Sequence, residues 1–284
     1  MAREPKTIRV LGLHGMGTSA HILKSQTAAF RSRLPPNFTF DFRDGPFSTT
    51  PAPATDIIFE SRHLAWWLLP TTVAGIRDAH RALDAYLDEH GPFDILMGFS
   101  QGCSLISSYL LYHAREKPAG TAPRFKAAVF ICGGLPLAAL EDLGVHVPER
   151  AKSIDATTGK LLRARTEALA RLAEDPSQVT RGMDNWSDVS DLLHDPERAP
   201  EQRDVFGLDF TTMPPDLRIR MPTVHVLGAK DPRWPAAYQL AQFCDKKRVY
   251  DHGGGHEIPR LSVVSDKIAE LVEEVAREMQ GEGK

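Results

Sequence analysis

Ser100, Asp231 and His256 are the residues whose types, order and neighbours could do covalent chemistry. A serine hydroxyl is a poor nucleophile near neutral pH. It becomes a good one when an imidazole accepts its proton and a carboxylate fixes the imidazole's tautomer. Ser100 stands in Gly98-Phe-Ser-Gln-Gly102. In a G-x-S-x-G elbow the serine occupies a sharp strand-to-helix turn, and glycines flank it because side chains there would strike the adjoining strand and helix. The motif alone is short enough to arise by chance. It gains meaning when an acid and then a histidine follow, each just past the carboxyl end of a strand. Asp231, in Gly228-Ala-Lys-Asp-Pro232, and His256, in Gly253-Gly-Gly-His-Glu-Ile-Pro259, have that order. Such a set could attack an ester or thioester carbonyl.

The elements that must position these residues are readable from local pattern. Phe93–Met97 predicts a buried strand ahead of Ser100, and Cys103–Arg115 an apolar helix behind it. Thr223–Leu227 predicts the strand before Asp231, and Arg248–Tyr250 the strand before His256. The spacing of 25 positions from Asp231 to His256 leaves room for one helix, over Ala236–Phe243, and one strand. Thr7–Leu13 predicts an early strand running into His14-Gly-Met-Gly17. A loop there would lie beside the serine, so the N–H groups of Met16 and Gln101 are the expected donors to a tetrahedral oxyanion. Further strands over Phe38–Phe42 and Phe125–Cys132, and helices over Ala20–Leu34, Val73–His90 and Leu261–Met279, complete a strand–helix alternation. That alternation implies an α/β fold with a mostly parallel central sheet and helices on both faces.

A rival reading attaches to the first glycine turn. Gly15-Met-Gly-Thr-Ser-Ala20 fits G-x-G-x-x-A after a strand, with Asp41 and Asp44 near the next strand end, and would suit an NAD(P)-dependent oxidoreductase using Gly15 and Gly17. Three placements that agree on one mechanism outweigh this six-residue match. A third alternative is a ligand-binding protein on the same scaffold without catalysis. Among other candidates, His252 is a rival to His256 but reads as a loop histidine. His14 reads as a structural histidine bonded to loop backbone, with a pocket role as the alternative. Asp94 reads as a strand-end cap, and Cys132 as a small apolar residue at a strand end. Trp66 and Trp67 read as core, or as a wall for a substrate.

The chain of 284 residues carries a net charge of −3, with 42% hydrophobic and 25% charged residues. These values fit a globular protein and give no basic surface for nucleic acid or an anionic membrane. No apolar run approaches the ~20 residues of a membrane span, and the first residues hold no apolar signal core, so a cytoplasmic location is expected. Three cysteines at no ligand spacing support neither a disulfide scaffold nor a metal site. No cofactor is needed for the chemistry proposed. Residues 138–221 break the alternation: a helix over Lys160–Glu174 precedes a polar stretch dotted with Met183, Trp186, Leu192, Leu193, Phe206, Leu208, Phe210 and Met213. This interval reads as a helical cap insertion in a single domain spanning 1–284, packing a small core of its own or covering the mouth of a site. His14, Trp66, Trp67, Phe206 and Phe210 are the candidate pocket residues.

The combination of Leu13-His-Gly-Met-Gly17, Gly91-Pro-Phe-Asp94, Gly98-Phe-Ser-Gln-Gly102, Asp231-Pro232 and Gly254-Gly-His-Glu-Ile-Pro259 resembles the fungal-type serine hydrolases of the α/β-hydrolase fold. That family includes thioesterases and esterases that act beside polyketide synthases. The resemblance runs from about residue 7 to 260 and is thinnest over 138–221. It implies Ser100, Asp231 and His256 as a catalytic triad, Met16 and Gln101 as oxyanion donors, and a small acyl ester or thioester substrate, an acyl-carrier protein being one way to present it. Release or lactonisation of a polyketide chain would follow. Cys103 departs from the small alanine frequent at that position.

Overall fold

The computed structural model describes residues 6–53, 55–118, 120–174 and 186–281. In chain order the elements are β1 (Ile8–Leu13), α1 (Ala20–Gln26), α2 (Ala28–Arg31), β2 (Phe38–Arg43), β3 (Phe47–Ser48), α3 (Thr55–Ile58), β4 (Leu64–Ala65) and α4 (Val73–His90). There follow β5 (Ile95–Phe99), α5 (Gln101–Glu116), β6 (Ala127–Ile131), α6 (Leu137–Asp142), α7 (Glu149–Glu174), β7 (Ile219–Leu227), α8 (Trp234–Gln242), β8 (Cys244–Asp251) and α9 (Ser262–Met279). Six strands form one parallel sheet in the order β2-β1-β5-β6-β7-β8. The chain builds outward from β1 to β2, then returns to β5 on the other side of β1. Open α/β sheets hold their sites at the carboxyl ends of strands beside such a reversal.

Burial on both faces explains why the inner strands are apolar throughout: Ile95–Phe99 and Ala127–Ile131 are entirely buried. One face packs against α1, α2 and α9 through Leu23, Phe30, Ile268 and Val275; the other packs against α4, α5 and α8 through Ile76, Leu83, Leu110 and Leu240. Helix α4 has the clearest local logic. Thr72 caps it by accepting the Gly75 N–H at 3.1 Å, and Ile76, Ala79, His80, Leu83 and Leu87 form its buried stripe.

Register places the site. Leu13 lies opposite Gly98, so His14–Met16 and Ser100–Gln101 leave the sheet side by side. Phe99 lies opposite Ile131, and Leu227 opposite Asp251, which brings the loops after β7 and β8 to the same edge.

Several boundaries differ from the sequence reading for identifiable reasons. β5 runs two residues past its expected end, because Gly98 and Phe99 continue the ladder with Phe130 and Ile131. The expected helix over 20–34 divides at Thr27 into α1 and α2 and ends at Arg31; the Thr27 hydroxyl donates to the Leu23 carbonyl at 2.8 Å, sharing that acceptor with its own backbone N–H at 3.0 Å. β8 is longer than Arg248–Tyr250 because Asp245-Lys-Lys-Arg248 reads as solvated chain but lies on an edge strand, where charge is tolerated. A two-strand antiparallel ribbon pairs β3 with β4, Phe47 opposite Ala65 and Ser48 opposite Leu64.

The interval 138–221 is less separate than expected. It begins inside α6 and ends inside β7, which starts at Ile219. Leu140, Leu143, Val145, Val147, Ala151, Leu208 and Leu217 are buried in the same core as α4 and α5, not in a small core of their own. Met183 lies outside the described residues. Among the described residues no helix is long and apolar enough to cross a membrane.

Two histidines are embedded in this core. His80 lies between α4 and α5, its Nε2 2.8 Å from Ser108 Oγ, and burial lowers its pKa to about 4 against a smaller upward pull from Asp84. His225 on β7 stacks against Phe130 with Nε2 3.0 Å from Thr223 Oγ1, and burial lowers its pKa to about 3. Both rings are neutral when folded, whereas the unfolded chain protonates them near pH ~6.5. Stability is therefore complete above that value and is lost as pH falls toward the folded values. Urea unfolding carried from about pH 7 down to about pH 4 is expected to show a slope that peaks at about 2.5 kcal/mol per pH unit from this pair near pH ~5 and eases toward pH ~4, where folded His80 itself begins to protonate. His80→Gln should remove about half of that contribution; a stability flat across the window would contradict the assignment.

Candidate active site

Ser100 ends β5 and precedes α5 with φ 50° and ψ −114°, an unfavourable conformation for a residue with a side chain. The glycines around it are required by contact. A Cβ on Gly98 would lie 2.6 Å from the Cys103 nitrogen, and one on Gly102 would lie 2.1 Å from the Leu13 carbonyl oxygen. The Ser100 N–H donates to the Ile131 carbonyl at 3.1 Å, tying the turn to β6. Beneath it the fully buried Cys103 thiol donates to the carbonyl of Gly98 at 3.1 Å, and burial pushes its pKa far up, so it stays a neutral thiol.

The three residues picked from the sequence meet. His256 Nε2 is 3.0 Å from Ser100 Oγ, and His256 Nδ1 is 2.8 Å from Asp231 Oδ2. Asp231 is only 1% exposed, and its other oxygen accepts the Arg233 N–H at 2.7 Å. Because the carboxylate only accepts, the imidazole proton resides on Nδ1, which leaves Nε2 with a lone pair toward the serine hydroxyl.

The loops that bring Asp231 and His256 together are stitched to each other. The Lys230 N–H donates to the Gly254 carbonyl and the His252 N–H to the Leu227 carbonyl, both at 2.8 Å. Asp251, at the end of β8, accepts the N–H groups of Ala229 and Gly253 at 2.8 Å and the Trp234 indole N–H at 3.0 Å. Trp186 packs against Gly255, where any Cβ would fall 1.9 Å from its ring. The sequence reading missed Asp251 and the packing of Trp186. A second acid at the end of the strand that leads to the histidine was the available signal for Asp251. Nothing in the sequence pairs Trp186 with Gly255.

Gln101 opens α5, where a first-turn N–H has no intrahelical acceptor. Its side chain accepts the Trp66 N–H at 3.0 Å and donates to the Trp67 carbonyl at 2.9 Å, which fixes this residue beside the serine. The Met16 N–H has no acceptor among the described residues. Its neighbour Gly15 passes so close that a Cβ there would be 3.2 Å from Ser100 Cβ. His14 shapes this turn: Nδ1 donates to the Gly15 carbonyl at 2.7 Å, Nε2 accepts the Gly45 N–H at 2.8 Å, and burial lowers its pKa, keeping it neutral.

A cavity of about 470 Å³ opens over Ser100. Met16, Trp67, Leu69, Gln101, Cys132, Leu135, Leu137 and His256 line it on one side, and Asp155, Gly159, Lys160, Arg163 and Arg233 on the other. Of the five candidate pocket residues only Trp67 lines this cavity. His14 has both ring nitrogens engaged under the turn. Trp66 is buried with its indole N–H on the His14 carbonyl. Phe206 packs edge-on against Trp234 and Tyr238, and Phe210 against Phe243. His252 is also accounted for: Nδ1 accepts the Gly254 N–H at 3.1 Å and Nε2 faces Cys132 Sγ at 3.7 Å.

The dinucleotide reading fails on packing. A Cβ on Gly17 would be 2.4 Å from the Ala52 nitrogen, so the chain's own backbone fills the space a pyrophosphate would need. Asp41 pairs with Arg9, and Asp44 accepts the Ala20 N–H at the start of α1.

A parallel sheet with a serine at a strand-to-helix turn, and an acid and a histidine after later strands, defines an α/β-hydrolase fold. The chain belongs to the serine hydrolase (FSH1) family, whose model matches residues 1–268. It is 30% identical over 274 residues to the esterase FPY3 of Fusarium mangiferae, covering 94% of this chain and 96% of that protein. It is 28% identical to the hydrolase FUB4 of Gibberella moniliformis, covering 93% and 97% respectively. An arylesterase of known structure shares the fold with a TM-score of 0.51 at 13% identity, over 97% of this chain and 76% of that one.

Because Asp251 holds both loops, Asp251→Ala is expected to lower ester kcat/KM by about a hundredfold, the cost of misplacing a reacting group by about 1 Å. The assay is run where urea titration shows the variant to be fully folded. Unchanged turnover there would remove Asp251 from the positioning network.

Proposed function

We propose that this protein cleaves an ester or thioester through an acyl-Ser100 intermediate. The observation that supports it most is the continuous hydrogen-bonded path from Ser100 Oγ through His256 to Asp231. In this reading His256 Nε2 takes the hydroxyl proton as Oγ attacks the carbonyl carbon. Asp231 keeps the imidazole oriented and stabilises the imidazolium. The oxyanion accepts the N–H groups of Met16 and Gln101, each donor contributing about 3–4 kcal/mol to the barrier lowering, with the positive end of α5 behind it. The C–O or C–S bond then breaks, and the proton on Nε2 passes to the leaving alkoxide or thiolate. Water, deprotonated in turn by His256, releases the acid. A hydroxyl borne by the acyl chain itself would instead give a lactone.

The mixed lining of the cavity suits an acyl chain with some polar substituents. Together with the family resemblance, this favours release of a polyketide acyl group, delivered free or by an acyl-carrier protein. In the same reading the chain is one catalytic domain in which 138–221 serves as a cap, since α7 supplies one cavity wall. Three free, buried cysteines suit a reducing cytoplasm.

The test is intact-mass labelling with a fluorophosphonate. One adduct is expected on the native chain and none on Ser100→Ala, whose kcat/KM for short acyl esters should fall by about 10⁴-fold or more. His256→Ala should fall similarly. Absence of labelling would leave a ligand-binding protein on a hydrolase scaffold as the surviving reading. A panel of acyl thioesters and esters of increasing length then separates thioesterase from carboxylesterase use.

A further inference from the structure

The cavity over Ser100 is uneven in charge. Its sheet-side lining, from Trp67 to Leu137, carries no charged side chain and is polar only at Thr71, Ser100, Gln101 and Ser104, whereas one face of α7 supplies Asp155, Lys160 and Arg163. Asp155 is already neutralised: Arg233, which also lines the cavity, contacts its carboxylate at 2.6 Å and donates to Thr158 Oγ1 at 2.9 Å. Lys160 and Arg163 have no carboxylate partner among the described residues. Three residues apart, they project from one side of the helix.

A solvated helix surface would be the ordinary account of two exposed cations. The rest of α7 argues against it. Arg150 pairs with Asp204, Lys152 with Glu141, and Arg165 with Asp191. The helix thus gives carboxylate partners to three of the four cations that do not line the cavity, Arg171 in its last turn being the exception, while the two at the cavity have none among the described residues. Two cations at the rim of a cavity whose opposite wall carries no charge attract an anion to that rim.

Resting on the serine-hydrolase reading, we propose that Lys160 and Arg163 form an anion subsite, and that the preferred substrate is an ester or thioester carrying a carboxylate or phosphate beyond the reacting carbonyl. The anion could sit on the acyl chain or on the leaving group; the chemistry recognised is the same.

Two substrate pairs separate those sources. p-Nitrophenyl hemiglutarate against p-nitrophenyl butyrate places the charge on the acyl side. Butyryl-coenzyme A against S-butyryl-N-acetylcysteamine places it on the leaving group. For the native chain the anionic member of at least one pair is expected to have a kcat/KM tenfold or more above its neutral counterpart, and raised salt should shrink that ratio. Lys160→Ala/Arg163→Ala should cut the ratio at least tenfold, through KM more than kcat, and Lys160→Arg/Arg163→Lys should restore most of it. The pair that responds identifies the side bearing the anion. A ratio near one in the native chain, or one that the double alanine variant leaves unaltered in both pairs, overturns the subsite while neutral-ester turnover and fluorophosphonate labelling still stand. Loss of labelling and of neutral-ester turnover in the native chain would instead overturn the hydrolase reading, and the subsite with it.

Discussion

Ser100 is held at a positive φ, and the neighbouring strands must be arranged to keep it there. Such a conformation costs a residue with a Cβ of order 1–3 kcal/mol, and it persists only where surrounding structure over-determines it. Here the determinants are visible: the ladder of β5 with β6 ends at Phe99, the Ser100 N–H is bound to Ile131, and α5 starts at once with Gly102 pressed on the end of β1. The same close approach puts the Gly15–Met16 turn against the serine. Strain at one residue and proximity of two loops are thus consequences of a single tight crossing between β1, β5 and α5.

Much of the site was legible because turns leave residue-type signatures. Gly98 and Gly102 mark a place where no side chain fits, and the serine–acid–histidine order maps onto strand ends. The sheet was legible for a similar reason, since strands buried on both faces read as unbroken apolar runs. Charge obscured β8, an edge strand whose Asp245–Arg248 segment mimics a loop. The pocket lining was the least legible. It depends on which face of α7 turns toward Ser100, and a helix with polar residues on several sides does not announce that direction. Phe206 and Phe210 looked like pocket material because aromatic residues outside the main alternation have two destinations, ligand or core. Both found aromatic partners in α8 and just beyond it.

His14 shows how a histidine in a glycine-bearing turn beside the nucleophile can serve geometry from beneath it. Its two ring nitrogens join the Gly15 carbonyl to the Gly45 N–H, and the Trp66 indole closes over it. Trp66 in turn bonds through its own N–H to the Gln101 side chain. A single buried network therefore links the turns bearing Met16 and Gln101. Pairing of every polar group in that network restricts the turns to one arrangement, because any rotation leaves a buried donor or acceptor unmet at a cost of about 1–3 kcal/mol.

The interval 138–221 relates to the site through two different attachments. Its α7 face forms a cavity wall, and its Trp186 lies on Gly255 in the loop that carries His256. Because Leu140, Val147, Ala151 and Leu208 are fused into the main core, the start of α7 is anchored as firmly as the sheet beneath it. The wall opposite Ser100 therefore has its root in the core and its charged residues further along the same helix, an arrangement that fixes distance at one end while leaving the rim exposed. Residue changes along the exposed half of α7 can then alter the shape and charge of the cavity wall without disturbing the sheet that holds serine, acid and histidine in line. Separation of the two tasks follows from the packing, since the residues that build the core and those that face the cavity occupy different turns of one helix.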